Sequence, residues 1–379
     1  MTRLVIVANS IEELGGAQRV VHVLAQGLAL RGFDVDLVGI APASHGHRYV
    51  DEPAFRSTTL MGRPWPPPPS ERPARPWRRA DARTRNERDA LRAEAAAGLS
   101  QVLHDGESGV VICAQLWAME LLTEVDTSGW PVIGQYHSSF EAAAGGRDLG
   151  RITSLYPDIA RFLLLTPQDA ERFRRLGMNN TGWMPNPLAV WPADPATPER
   201  SRTVLYLGRL SSEKGPGFLL DAWESIADRH PDWTLRLVGS GPDEAKIRAR
   251  VDRMAAAGTS VVLDPPVADV VPVLREAGIL ALPSLTEGLP LSLAEAMACG
   301  LPTVSTDCSD GVRLLTLDGA AGVVVPRADP VAMGQALSAL MSDARARADL
   351  GVRARAAVAD YRLDPVLDRW ERVIAEVLR

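Results

Sequence analysis

Short apolar runs separated by helix-length stretches constrain this chain more than any other feature. Leu4–Asn9 (LVIVAN) is continuous and apolar, as a strand buried on both faces must be, and a helical stretch from about Ala17 to Leu30 follows it. Further runs come at Asp34–Ile40, Val110–Gln115, Val132–His137 and Phe162–Thr166. The second half repeats the plan at Val204–Gly208, Leu235–Gly239, Val261–Leu263, Ile279–Pro283 and Thr303–Thr306. Buried strands with helices between them predict parallel sheets covered on both faces, an α/β fold. At 379 residues the chain exceeds what one core usually serves, so two domains are expected, 1–190 and 191–363. Met184–Pro198 reads as the hinge, because its prolines neither continue a helix nor join a central strand. A last helix, Asp364–Leu378, follows within 364–379.

Composition narrows the classes. Hydrophobic residues make up 46% of the chain, and no apolar run approaches the ~20 residues of a membrane span. Cys113, Cys299 and Cys308 cannot close a disulfide framework, and the start of the chain lacks a signal-peptide layout; together these predict a cytoplasmic protein with reduced thiols. A net charge of −6 argues against nucleic-acid binding. Lys214 and Lys246 are the only lysines among 41 basic residues, so lysine is a departure from the chain's default.

One stretch breaks the alternation. Arg63–Trp77 is proline-dense and reads as extended or disordered, and a helix is expected from near Ala80 to Leu103 with Leu91, Ala95, Leu99 and Val102 on its apolar face. Nine arginines against four acids fall between Arg63 and Arg92. Two readings stay open: a solvated helix face, or contact through Arg72–Arg92 with an anionic acceptor or the inner face of a membrane.

Four segments carry candidate chemistry. Leu282–Pro302 (LPSLTEGLPLSLAEAMACGLP) predicts a strand, a loop with Glu287, and a helix beginning around Pro290 that holds Glu295 in its second turn. The helix start favours a phosphate, and the Glu295 carboxylate suits paired hydroxyl donors. Tyr206–Gly215 (YLGRLSSEKG) leaves a strand at Gly208 and offers Arg209 and Lys214, a guanidinium fork and a point charge suited to a diphosphate. Leu237–Pro242 (LVGSGP) puts Gly239 and Gly241 at a strand end but lacks the third glycine of a dinucleotide fingerprint. Ser10–Arg19 (SIEELGGAQR) allows close backbone approach at Gly15 and Gly16. His137 ends a strand where ligands of parallel sheets gather, and no Cys/His spacing suggests a metal.

With GGAQR, His137, Pro185–Pro187, GRLSSEKG, VGSGP and EGLPLSLAEAMACGLP in this order, the chain resembles the retaining glycosyltransferases of family 4 over nearly its whole length. The resemblance implies GT-B architecture, two facing Rossmann-like domains with an interdomain cleft, the second binding the nucleotide sugar and the first lying on the acceptor side. It implies that the last helix crosses back to the first domain. By resemblance Arg209 and Lys214 hold the donor diphosphate with Gly208 and Gly241 beside them, and Glu295 holds the ribose. Glu287 and the backbone of Gly288, Leu289 and Leu291 face the transferred sugar, Gly16 approaches the donor phosphate or acceptor, and His137 touches the sugar near the reacting centre. No metal or other cofactor is expected. A sugar-nucleotide epimerase and a non-catalytic sugar-nucleotide binder stand as alternatives. A nicotinamide-dependent oxidoreductase fits less well, given the incomplete glycine fingerprint, and a glycosidase less well because both glutamates come from one loop-helix unit.

Replacing the arginines from Arg72 to Arg92 with glutamine is expected to lower pelleting with anionic liposomes or to weaken use of an anionic acceptor. Unchanged values in both assays would leave this stretch a solvated face.

Overall fold

The computed structural model describes residues 1–43, 46–64 and 79–379, leaving aside the side chains of 79–84. The chain divides into two compact units: Met1–His137 with Ala143–Pro187 and Leu367–Arg379, and Ser138–Ala142 with Leu188–Val366. In the first, the strands are β1 (Arg3–Ala8), β2 (Asp34–Gly39), β3 (Arg56–Thr59), β4 (Val110–Cys113), β5 (Val132–Gln135), β6 (Arg161–Leu164) and β7 (Thr181–Trp183). They form one parallel sheet in the order β3-β2-β1-β4-β5-β6-β7. In the second, β8 (Thr203–Leu207), β9 (Thr234–Val238), β10 (Val261–Asp264), β11 (Ile279–Leu282), β12 (Thr303–Thr306) and β13 (Val323–Val325) form a parallel sheet in the order β10-β9-β8-β11-β12-β13. Each sheet therefore has a central reversal of strand order, between β1 and β4 and between β8 and β11. Beyond the carboxyl ends of such a pair, the two outgoing loops diverge and leave room for a ligand.

The apolar runs became strands because their side chains are sealed on both faces; Leu4, Val5, Ile6 and Val7 have no exposed surface. The polar break in β2 has a reason too. Asp36 is 9% exposed and accepts from the Arg3 Nε at 3.0 Å and the Arg56 Nε at 2.6 Å, so a buried charge is paired rather than stranded. Three strands escaped the sequence reading. Strand β3 (RSTT) is largely exposed and has no apolar signal, while β7 and β13 are three residues each.

The helix after the proline-dense segment spans Arg79–His104. Its buried face is Leu91, Ala95, Leu99 and Leu103, a run of i, i+4 positions. Val102, expected on that face, is only partly buried, and its carbonyl accepts from the Arg3 guanidinium at 2.7 Å. The last helix, Leu363–Val377, contributes its residues from Leu367 onward to the first unit. There it meets the helix Gly16–Leu30 at Gly27, where an added Cβ would lie 2.6 Å from a Leu367 methyl carbon. Leu367, Trp370 and Ile374 are buried, and Arg31 bonds Asp368 at 2.6 Å and Glu371 at 3.1 Å on the exposed side. Trp370 is fully buried, so Trp370→Ala is expected to destabilise the first unit by about 3–5 kcal/mol in urea unfolding.

Candidate functional site

The reversal between β8 and β11 brings two of the predicted segments together. The first loop runs from Gly208 through a 3-10 turn, Ser212–Lys214, to Gly215, and the second runs from Pro283 to Pro290. Gly215 has a φ of +66°, and a Cβ there would lie 2.2 Å from the Pro283 carbonyl oxygen. Only glycine lets the lysine loop turn this tightly against its neighbour. The Leu285 N–H then donates to the Glu213 carbonyl at 2.7 Å.

This stitching places the Lys214 Nζ 2.8 Å from Glu287 Oε2, an ion pair that separate motifs did not reveal. The other carboxylate oxygen of Glu287 accepts from the Ser284 hydroxyl at 2.7 Å. Ser284 is fully buried, and its carbonyl accepts from the Thr306 hydroxyl at the end of β12. Glu287 is thus held by both oxygens, whereas the ammonium group keeps donors beyond the one aimed at Glu287. Negative charge nearby has a second effect. Burial, with Glu287 and Glu213, pushes the Tyr206 phenol well above its usual range, so it stays protonated and donates to the Arg209 carbonyl at 2.6 Å. The Arg209 side chain is exposed and has no ion-pair partner among the described residues.

The glycines of LVGSGP answer to the same packing. Gly239 has a φ of +151°, and a Cβ would sit 1.9 Å from the Gly208 carbonyl oxygen; at Gly241 it would sit 2.4 Å from that of Leu210. The half-fingerprint is accounted for by two loops lying backbone to backbone, joined by the Leu210 N–H donating to the Ser240 carbonyl at 2.8 Å.

The helix carrying Glu295 spans Leu291–Ala298. Pro290 is its N-cap, with φ −67° and ψ 113°, so the helix begins around Pro290 as expected. An extended ψ at this proline turns the chain into the helix, and no side chain caps the first turn. Gly288 and Leu289 are buried, Leu291 is partly exposed, and the Gly288 carbonyl accepts from the Ser309 hydroxyl at 3.1 Å. Glu295, expected to accept from hydroxyl donors, is 1% exposed. The cause is local, since Leu293 through Ala298 are all buried in this helix.

In the first unit, Gly16 is the exposed first residue of its helix, and the N–H of the preceding Gly15 donates to the Tyr49 hydroxyl at 2.7 Å. His137 follows β5. Its Nδ1 lies 3.0 Å from the Asn186 side-chain oxygen, which makes Nδ1 the protonated nitrogen. Its Nε2 is sealed from solvent and has no hydrogen-bond partner among the described residues. Burial pulls the imidazole pKa down to about 4, against a smaller opposing effect of Asn186, so the ring is neutral near pH 7. His137 helps line a cavity of about 270 Å³ beyond the ends of β1, β4 and β5, with Asn9, Gln115, Trp117, Asp148 and Arg151. Arg151 bonds Asp148 at 2.9 Å and Glu120 at 2.7 Å, and the Tyr136 hydroxyl donates to Asp148 at 3.2 Å. Asn186 was visible only as the middle of the hinge motif, and Asp148 and Arg151 had no motif at all.

Of the arginine-rich stretch at 72–92, residues 72–78 and the side chains of 79–84 fall outside what the structure describes. At its edges, Arg63 pairs with Glu87 at 2.7 Å and Arg92 with Glu124 at 2.5 Å, which neutralises part of the local excess. The three cysteines are free and buried, and burial raises their thiols to about 12 for Cys113 and about 11 for Cys299 and Cys308, which makes them poor nucleophiles. No helix among the described residues is long and apolar enough to cross a membrane.

Comparison with known proteins places these features in context. Residues 201–343 match the family model for glycosyl transferases group 1. The chain is similar to an uncharacterized glycosyltransferase of Haemophilus influenzae, 31% identical over 196 residues, covering 52% of this chain and 55% of that protein. The chain thus spans about half the length of this curated relative. Among solved structures it is similar to sucrose-phosphate synthase from Thermosynechococcus elongatus, with a TM-score of 0.80, 18% identity, and 100% of this chain and 99% of that one covered. It is also similar to Anabaena HepE in complex with UDP, with a TM-score of 0.77, 15% identity and 99% and 100% covered. At these identities the structural likeness shows the fold, two Rossmann-like parallel-sheet units of GT-B type.

The His137 geometry has a measurable consequence. In NMR titration His137 is expected to protonate near pH 4, so lowering the pH from about 6.5, the unfolded midpoint, toward 4 costs the fold stability that it keeps at higher pH. Asn186→Asp sets a carboxylate beside Nδ1 and is expected to raise the midpoint by about 1–3 units. An unchanged midpoint would show that Asn186 does not face the ring.

Proposed function

We propose that the protein is a glycosyltransferase that moves a sugar from a nucleoside-diphosphate donor to an acceptor hydroxyl, with retention at the anomeric carbon. The observation that carries this reading is the Lys214–Glu287 pair at the sheet reversal, inside the segment that matches glycosyl transferases group 1. The similar HepE structure, solved with UDP, supports a uridine or related nucleotide as the donor's leaving group.

In this reading the exposed Arg209 and the free donors of Lys214 meet the diphosphate. Their work is electrostatic, because negative charge grows on the leaving oxygen as the anomeric C–O bond stretches. The positive charge is assigned to these side chains, with no metal required. Glu287, already fixed by Ser284 and Lys214, accepts from hydroxyls of the transferred sugar beside the backbone of Gly288–Leu291. Glu295 is assigned to the ribose; at 1% exposure, that role asks its carboxylate to open when the donor binds. The acceptor oxygen attacks on the face from which the diphosphate departs, the new C–O bond replaces the broken one, and the leaving phosphate oxygen takes the hydroxyl proton. His137, neutral and with Nε2 as its acceptor nitrogen, suits a hydrogen bond from a sugar or acceptor hydroxyl. Gly16, exposed at a helix start, is assigned to the donor phosphate or acceptor.

The test is a panel of uridine, guanosine and adenosine diphosphate sugars, scored by thermal stabilisation and slow hydrolysis. At least one donor is expected to respond, and Lys214→Ala to weaken its binding about 10- to 100-fold, the loss typical of a hydrogen bond to a charged group. No response to any donor would overturn the reading, and an unchanged affinity would remove Lys214 from the site.

A further inference from the structure

We propose that the second unit holds a separate site for a phosphoryl group, at the amino-terminal ends of β8 and β9. These are the ends opposite the Lys214 loop, and five residues of β8 put about 16 Å between them. A cavity of about 410 Å³ opens there. Arg202 lines it immediately before β8, and Trp233 immediately before β9. Arg200, Arg229 and Arg347 add three further guanidinium groups, while Glu199 and Asp232 are its carboxylates.

The charge is poorly compensated where it matters. Arg347, on the helix Ala344–Ala357, is 4% exposed and stacks over Trp233 at 4.9 Å. It donates to the carbonyls of Pro198 at 3.0 Å, Leu340 at 2.7 Å, Met341 at 3.1 Å and Glu199 at 3.1 Å. Those oxygens satisfy its hydrogen bonds but carry no formal charge, and no carboxylate lies within ion-pair distance among the described residues. Arg229 is exposed and likewise has no ion-pair partner there. The two acids are engaged only loosely. Arg202 meets Asp232 at 3.3 Å with both side chains mostly in solvent, and Arg200 meets Glu199 at 4.0 Å, pairs of little strength. His230, bonded to Ser338 at 2.7 Å, adds no charge, since burial and Arg229 lower its pKa.

Four guanidinium groups stand against Glu199 and Asp232 in the lining and Asp343 beside Arg347, so positive charge still prevails. A phosphate monoester carries about −1.5 to −2 at neutral pH, enough to offset that excess. Several planar forks around one opening also suit an anion with three or four acceptor oxygens. In an acidic chain of net charge −6, this concentration of unmatched cations costs self-repulsion that a bound anion relieves.

The experiment measures calorimetric binding of inorganic phosphate and of glycerol 3-phosphate to the full chain, at matched ionic strength in chloride, alongside pelleting with phosphatidic acid vesicles. The variant is Arg202→Gln with Arg229→Gln, both exposed; Arg347 is kept because it ties the helix to the Pro198 and Glu199 carbonyls. Saturable binding of either soluble probe that falls about tenfold or more in the double variant and is unchanged in Lys214→Ala supports the site. Vesicle pelleting lost in the double variant supports it with a lipid headgroup as the source. The proposal is overturned if neither soluble probe nor vesicle binds, if binding survives in the double variant, or if Lys214→Ala abolishes it. An unliganded melting midpoint equal to that of the unaltered protein confirms that the double variant is folded.

Discussion

The Lys214–Glu287 ion pair is the contact on which the candidate site depends, because it joins two loops that have no other reason to present charge at the same point. Its members come from the two central strands at which the sheet order reverses, and each is set by neighbours that have little freedom. Gly215 bends the chain against the Pro283 carbonyl, while Ser284 and Thr306 fix the segment that carries Glu287. A lysine that merely lined a surface would find many rotamers. Here one of its three donors is already committed, and the direction of the remaining two follows from it.

The sequence made the plan legible to different depths. Central strands announced themselves, since a strand sealed on both faces favours an unbroken apolar run, as in Leu4–Ala8 and Ile279–Leu282; Thr303–Thr306, polar apart from Val304, was matched at both ends. Three of the four edge strands did not, unlike β10: β3 is exposed and polar and carries no hydrophobic signal. The motif residues were found, but their grouping was not. Lys214 and Glu287 are 73 positions apart, and only the sheet order makes them neighbours. The Glu295 segment shows a different limit. Its spacing put it in the second turn of a helix, yet whether that turn faces solvent depends on what packs over it, which a single strand–loop–helix reading does not contain.

Histidine and lysine solve opposite problems in the two units. Lys214 sits beside a carboxylate and partly in solvent. His137 gives its charge up, because burial disfavours the imidazolium and Asn186 offers a neutral oxygen in place of an anion. The result is a ring with a defined tautomer and a lone pair on Nε2, beside a cavity also lined by Trp117, Tyr136, Asp148, Arg151 and the Asn9 and Gln115 amides.

The backbone contact between the Gly208–Leu210 and Gly239–Gly241 loops limits how this site can be altered. Because two glycines each stand where any Cβ would strike a carbonyl of the neighbouring loop, neither loop tolerates change independently of the other. A mutational library intended to alter ligand preference therefore gains nothing by sampling 239 or 241. The useful diversity lies at exposed positions of these loops that the donor reading leaves unassigned, such as Ser240.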